Sequence, residues 1–361
     1  MKRIILLCFF AFMLSCPDVV GQRKIKQLVP VAIRRVARLT GKSLPNENLL
    51  NPNRTDEKYD IGGTDLGIAW DMGKGKTGLF FGDTYGHDYV PVNGGGPGAA
   101  GNWRSNVLGI TTDKDLSDGL SFDNMVAKEL IPSPHITNGT GSHTSIPTAA
   151  IHAMGADFVH YMDVRKWGVA GSWTTNFSGL FYSKDQGLTW KKAAGIHFNG
   201  DSHFSQVGFA KHNGWIYMIG TRSGRTGAAY LARFKEANIV NQASYQYWNR
   251  NTGWVTGDES KAEAIIEAPV GELSLLYNSK YKRWILTYLN EQKGALVMRD
   301  AASITGFWSE EKTLATATEY PGLYGAFLHP ISSVGDQLYF MMSLWFPYNV
   351  FLMQATLKFE E

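Results

Sequence analysis

Cysteine is almost missing from this chain. Cys8 and Cys16 are the only two in 361 residues, so whatever domain follows must be held together by burial and not by disulfides, which its size permits. An excess of one charge sign is also lacking. Thirty-five basic residues face 32 acidic ones, for a formal charge of +3, without long single-sign blocks, and nucleic acid is therefore not expected as a partner. Beyond the first residues no stretch is apolar for ~20 positions, so no later membrane crossing is expected. Helical periodicity is absent between the apolar runs, and no histidine pair has zincin spacing, so neither a metal nor a cofactor is expected. What the chain has in quantity is 39 Gly together with 11 Trp, 16 Tyr and 19 Phe. That mixture excludes a helical bundle and suits short strands, tight turns and a carbohydrate-facing surface.

The opening "MKRIILLCFFAFMLSCPDVVGQ" has a basic start at Lys2 and Arg3 and an apolar run, Ile4 to Leu14, too short to span a bilayer. It reads as an export signal over residues 1–21. Two processing sites compete: Val19 and Gly21 before Gln22 suit ordinary signal peptidase, while Leu14-Ser15-Cys16 resembles a loose lipobox that would leave a lipid anchor on Cys16. The protein is accordingly expected to be exported: periplasmic, outer-membrane-anchored or secreted. Residues 22–55 read as a leader and an irregular approach whose strand-like piece is "VAIRRVARLTG".

From residue 56 to 361 a loose pattern recurs five times: a strand opening with small or polar residues, a Gly/Asn/Asp turn, a more aromatic strand, a loop and a third strand. The first round runs through "GGTDLGIAW", "GLFFGDTYG" and "SNVLGITTD", and the fifth through "YGAFLHPISSVG", "QLYFMMSLW" and "NVFLMQATLKF". Repeats of this kind cannot bury both faces alone and must stack on neighbours, which predicts an all-β, five-bladed β-propeller in a monomeric chain. The fifth round is one outer strand short, so "VAIRRVARLTG" is expected to supply it and close the ring. "SKDQGLTW", Ser183 to Trp190, fits the Asp-box pattern, in which Asp185 caps a turn and Trp190 packs into the blade.

The first round carries aspartates where strands normally take apolar residues. A hairpin centred on Lys74 places Asp65 opposite Asp83, with Cβ atoms ~4.5–5.5 Å apart, where like charges are destabilising. One member of such a pair keeps its proton to higher pH, which yields an acid and a base or nucleophile from one residue type. That is the chemistry of glycoside hydrolysis. An Asp at a strand start also caps turns, and a bulge in "DMGKGKTG" would turn one carboxylate to the other face.

Other candidates have plainer alternatives. Glu272 opens the inner strand of the fourth round and is placed to tune the pair or act as acid, or simply to cap a turn. Gln206, at the same place in the third round, suits a sugar hydroxyl or a hydrogen bond between blades. Arg104 and Asn106 in "NWRSN" suit sugar binding, orientation of an aspartate, or a strand start. Trp345 and Asn349 in "LWFPYN" lie on a loop where an aromatic face can stack on a sugar ring or on the core. His143 is near the axis by position, in a loop where a histidine is commonly solvated. Gly75-Lys76-Thr77 lacks the glycine a phosphate loop needs at position 70, and "DKDLSDGLSFDN" has Asp118 and Asn124 where a calcium loop needs glycine and glutamate.

Nine segments, among them "NRTDEKYDIGGTDLGIAWD", "LFFGDTYG", "NWRSNVLGI", "GTRSGRTGAAYLAR", "VGELSLLYN", "YPGLYGAFLHP" and "LWFPYNVFLM", resemble the endo-D-arabinanase family of glycoside hydrolases over about residues 52–357. The resemblance implies cleavage of internal α-D-arabinofuranosyl bonds in mycobacterial arabinogalactan and lipoarabinomannan, with Asp65 and Asp83 as catalytic carboxylates and arabinan as the polysaccharide partner. Asp163 in "HYMDVRKWG" departs from the small residue expected there. An arabinanase or arabinofuranosidase acting on L-arabinan is the alternative enzyme. A non-catalytic glycan-binding propeller is the alternative from another class.

Overall fold

The computed structural model describes residues 26–92, 94–98 and 101–360; the expected export signal and Cys16 lie outside them. Five antiparallel sheets account for the described strands. Blade 1 is Leu66–Gly73, Lys76–Phe81, Val107–Thr111 and Asn124–Val126; blade 2 is Thr144–Ala153, Ala156–Trp167 and Trp173–Ser183 with two short outer pieces. Blade 3 is Gln206–His212, Trp215–Thr221 and Gly227–Lys235 with additions described below. Blade 4 is Leu273–Asn278, Arg283–Asn290, Ala295–Ala301 and Lys312–Thr316. Blade 5 is Leu323–Leu328, Gln337–Leu344 and Asn349–Phe359. The first strand of each blade touches its counterparts in the neighbouring blades around a common axis. These inner strands are buried on both faces, which is why Thr144–Ala153 reads "TSIPTAAIHA", with little alternation. The result is a five-bladed β-propeller.

The amino-terminal strand closes the ring. Leu28–Arg38 runs antiparallel to Asn349–Phe359, pairing Leu28 with Phe359 and Arg38 with Phe351. It begins three residues earlier than "VAIRRVARLTG" and ends before Leu39. Two register shifts, between Val31 and Arg34 and between Arg35 and Ala37, bend it around the blade, as bulges do at sheet edges.

Two local features explain blade junctions. In the Asp box, Asp185 accepts from Ser183 Oγ at 2.7 Å and from Thr189 N at 2.9 Å. This holds Trp190 against Phe80 of blade 1, ring centroids 5.0 Å apart, so the motif fastens one blade to the next. Blade 3 carries the largest additions, in a sheet of six strands. A hairpin of Gln246–Asn249 and Gly253–Thr256, and the strand Ala264–Val270, both pair with Gly227–Lys235. Trp248 faces Trp254 across that hairpin, and the Arg233 guanidinium lies 4.1 Å from the ring centres of Trp215 and Trp254, a cation between two indoles that joins hairpin to blade.

Arg38, fully buried, anchors the closing strand. Its Nε and one Nη donate to both oxygens of Glu47 at 2.8 and 2.9 Å, and its other Nη donates to Asn349 Oδ1 at 2.7 Å. Replacing Arg38 by Ala leaves the partly buried Glu47 carboxylate with only the Leu44 N–H and the buried Asn349 amide oxygen without its donor, so urea titration should show a loss of about 3 kcal/mol. The exposed pair Arg54 and Glu57, 3.2 Å apart, is the control: Arg54→Ala should cost under about 1 kcal/mol.

Candidate active site

The first hairpin turns at Lys74 and Gly75, whose φ values of 52 and 76° suit a tight two-residue turn. Along its middle the expected register holds: Ile68, Ala69, Trp70 and Asp71 face Phe80, Leu79, Gly78 and Thr77. At the end carrying the aspartates it does not. Leu66 faces Phe81, Gly67 is an extra residue, and both have positive φ, 72 and 82°. The Asp65 carbonyl accepts from Gly82 N at 3.1 Å, so the two aspartates are offset, not directly opposed. One bulge lies beside the carboxylates, where bulges re-aim side chains, and a second shift, between Asp71 and Gly73, falls within "DMGKGKTG". Gly82 is required by the first, because a Cβ there would stand 2.3 Å from Asp65 Oδ1.

Both aspartates nevertheless line one axial cavity of about 660 Å³. Their surroundings differ. Asp83 Oδ1 accepts from Thr144 Oγ1 at 2.6 Å and from Trp103 Nε1 at 2.8 Å. Asp65 Oδ2 accepts from Tyr324 Oη at 2.9 Å, while its Oδ1 is out of solvent with no partner among the described residues. Burial, and then the negative charge of Asp83, push the Asp65 carboxyl up to about 8, against the opposing Tyr324 hydrogen bond. Burial pushes Asp83 up to about 6, against the hydrogen bonds from Thr144 and Trp103. Near neutrality the arrangement offers a protonated Asp65 beside an ionised Asp83.

The cavity also contains Glu272, Gln206 and Trp345. Glu272 is held by Arg225 in a forked contact at 2.8 to 3.1 Å, and Arg225 also reaches Glu291 at 3.3 Å. Both carboxylate oxygens of Glu272 are thereby occupied. Gln206 donates to the carbonyls of Arg222 and Gly224 at 3.1 and 2.7 Å, fastening a loop of its own blade. Trp345 is 47% exposed at the mouth. The remaining candidates do not line the cavity. Arg104 donates to the carbonyls of Asn102, Ala127 and Asp60, and Asn106 uses both ends of its amide on backbone groups of residues 130, 131 and 145. Asn349 bridges Arg38 and the Gly62 carbonyl. His143 sits edge-on to Trp103 at 5.5 Å, and Asp163 accepts from Asn176.

Four contributors were not singled out from the sequence: Tyr324, Arg225, Trp103 and Thr144. Tyr324 stands in "GLYG", between Gly322 and Gly325 with φ 73 and 64°, and Arg225 in the glycine-rich "RSGRTG". A bulky polar residue set among glycines was the available signal.

Residues 51–354 match the model of DUF4185, a domain of unknown function, and the chain belongs to that family. It is similar to notoamide biosynthesis cluster protein J of Aspergillus sp. (strain MF297-2), 30% identical over 314 residues that cover 80% of this chain and 81% of that protein. Protein J′ of Aspergillus versicolor is 28% identical over 328 residues, covering 85% and 87%. Among solved structures, a family 117 glycoside hydrolase produced by Zobellia galactanivorans superposes with a TM-score of 0.52 at 10% identity, over 92% of this chain and 90% of that one. What is shared with it is the propeller fold.

The raised carboxyls give a stability signature. Between about pH 4 and pH 8 the folded protein holds the Asp65 proton and the unfolded chain does not, so stability falls as pH rises through that window. Asp65→Asn, neutral at every pH, should melt at a higher temperature than the wild type. The gap should widen from pH 4 to 8 and then level off in calorimetric scans.

Proposed function

We propose that the protein is an exported glycoside hydrolase in which Asp65 protonates the departing glycosidic oxygen and Asp83 acts as base or nucleophile on the other side of the anomeric carbon. The observation that carries this reading is the unequal pair: two carboxyls in one cavity, Asp83 with two donors on its Oδ1 and Asp65 with an Oδ1 out of solvent that has no partner among the described residues, so that burial pushes Asp65 up to about 8 and Asp83 only to about 6, the division of labour that glycosidases need. Arg225 occupies both oxygens of Glu272. Tyr324 fixes the Asp65 carboxyl through Oδ2, and Trp103 with Thr144 stabilises ionised Asp83. The fold that the chain shares with a family 117 glycoside hydrolase is consistent with the reading. For the sugar the support is narrower. The matching segments in the sequence favour internal α-D-arabinofuranosyl linkages of mycobacterial arabinan.

A second reading keeps the same pair and changes the substrate. The Aspergillus relatives are named for a biosynthesis cluster, which favours proton transfer on a biosynthetic intermediate. Incubation with mycobacterial arabinogalactan and, separately, plant arabinan decides between them. Oligosaccharides of several sizes from the first substrate support the endo-D-arabinanase reading, and two intact polymers sink it.

Asp65→Asn and Asp83→Asn should each remain folded and lose about 100-fold or more in turnover. The wild-type profile of kcat/KM should be bell-shaped, rising near pH 6 as Asp83 ionises and falling near pH 8 as Asp65 loses its proton, both limbs belonging to the coupled pair. Tyr324→Phe removes a hydrogen bond that favours ionised Asp65 and should move the alkaline limb to higher pH.

A further inference from the structure

The cavity is chemically two-sided. Its polar groups gather around the aspartates, and most are already spent: Arg225 on Glu272 and Glu291, Gln206 on two carbonyls, Tyr324 on Asp65, and Tyr348 on the Asp83 carbonyl. The wall supplied by blade 2 is mostly apolar, made by Ile146, Pro147, Met162, Trp167, Val169 and Trp173, with Thr148 and Ser172 as its polar members. Val169 is 81% exposed and Trp167 36%, an arrangement that water disfavours unless something covers it.

This wall is preformed. Trp167 and Trp173 meet edge to face with ring centres 5.6 Å apart. The turn between them is closed by Gly168 N to Ser172 O and Ser172 N to Val169 O, both 2.9 Å, and Arg225 N donates to Gly171 O at 3.0 Å. The same arginine whose side chain organises the acidic floor thus holds the apolar wall through its backbone. Wall and floor keep a fixed separation, and Val169 is presented at the tip instead of folding into the core.

We propose that the blade 2 wall binds an apolar group carried by the substrate beside the sugar at Asp65 and Asp83, an alkyl chain lying along Trp167, Val169 and Trp173. This rests on the glycosidase reading and adds a binding preference next to the reacting sugar. Moving a hydrocarbon chain from water onto such a wall is favourable in proportion to the area covered, and a fixed wall loses little entropy on binding.

The test compares methyl and octyl α-D-arabinofuranosides, whose leaving alcohols are similar in acidity, below the octyl compound's micelle concentration. The expected result is a KM at least tenfold lower for the octyl glycoside, and a tenfold fall in the octyl-to-methyl ratio of kcat/KM in Val169→Asp. Equal kcat/KM for the two glycosides, or a ratio unchanged in Val169→Asp, overturns the inference while leaving the glycosidase reading intact. If neither glycoside is cleaved, tryptophan fluorescence of Asp65→Asn is titrated with both. A response to the octyl compound alone upholds the apolar wall, whereas no response to it overturns the wall, and the arabinan incubations decide the glycosidase reading separately.

Discussion

The position of Asp65 depends on the seam where the first blade meets the last. Thr64 N donates to Tyr348 O and Leu66 N to Ser343 Oγ, both at 2.8 Å, and Tyr324 Oη reaches Asp65 itself. All three partners belong to blade 5 or its last loop. Blade 5 is complete because Leu28–Arg38 lies along its outer edge, and one hydrogen-bonded line joins that edge to the seam: Glu47 to Arg38, Arg38 to Asn349, Asn349 to Gly62. Ring closure and acid placement are a single construction. A loosened seam would admit water to Asp65 and return its carboxyl toward ordinary acidity.

Charge in the cavity follows from the same economy. Asp65, Asp83, Glu272 and Glu291 share the space with Arg225 as the cation among its lining residues. Arg225 is bound to the two glutamates, so it gives the aspartates no direct ion pair. What separates the aspartates is hydrogen-bond supply: two donors on Asp83 Oδ1, one on Asp65, and none on Asp65 Oδ1. An anion with an unsolvated oxygen is penalised most, and the proton settles on Asp65.

The five rounds were legible because each strand repeats a local pattern, and the closing strand because the fifth round was visibly incomplete. That Asp65 and Asp83 stand near one another at the end of one hairpin was legible too, since the turn sets the register as far as Ile68 and Phe80. The bulge at Leu66 and Gly67 was not. It answers the close approach of Met341 and Val350, within about 3 Å of any Cβ on Gly67, and that is a property of another blade. For the same reason Tyr324, Arg225 and Thr144 went unnoticed, being brought to the hairpin from distant parts of the chain. Arg104, Asn106 and Asn349 looked like sugar ligands because a buried polar residue serving backbone carbonyls has the same local sequence appearance as one serving a substrate.

The ladder pairing Leu28 with Phe359 also sets a timetable. During synthesis the first strand to emerge must wait for the last, with its edge open to other chains meanwhile, while four blades can stack in the order they appear. The final step closes a loop almost as long as the protein, a contact of high sequence separation that slows folding. Since the seam beside Asp65 forms only then, a nascent or carboxyl-truncated chain holds the aspartates in a hairpin open to water. Such a chain carries Asp65 and Asp83 but not the surroundings that bury them, which are complete only once Asn349–Phe359 has paired with Leu28–Arg38.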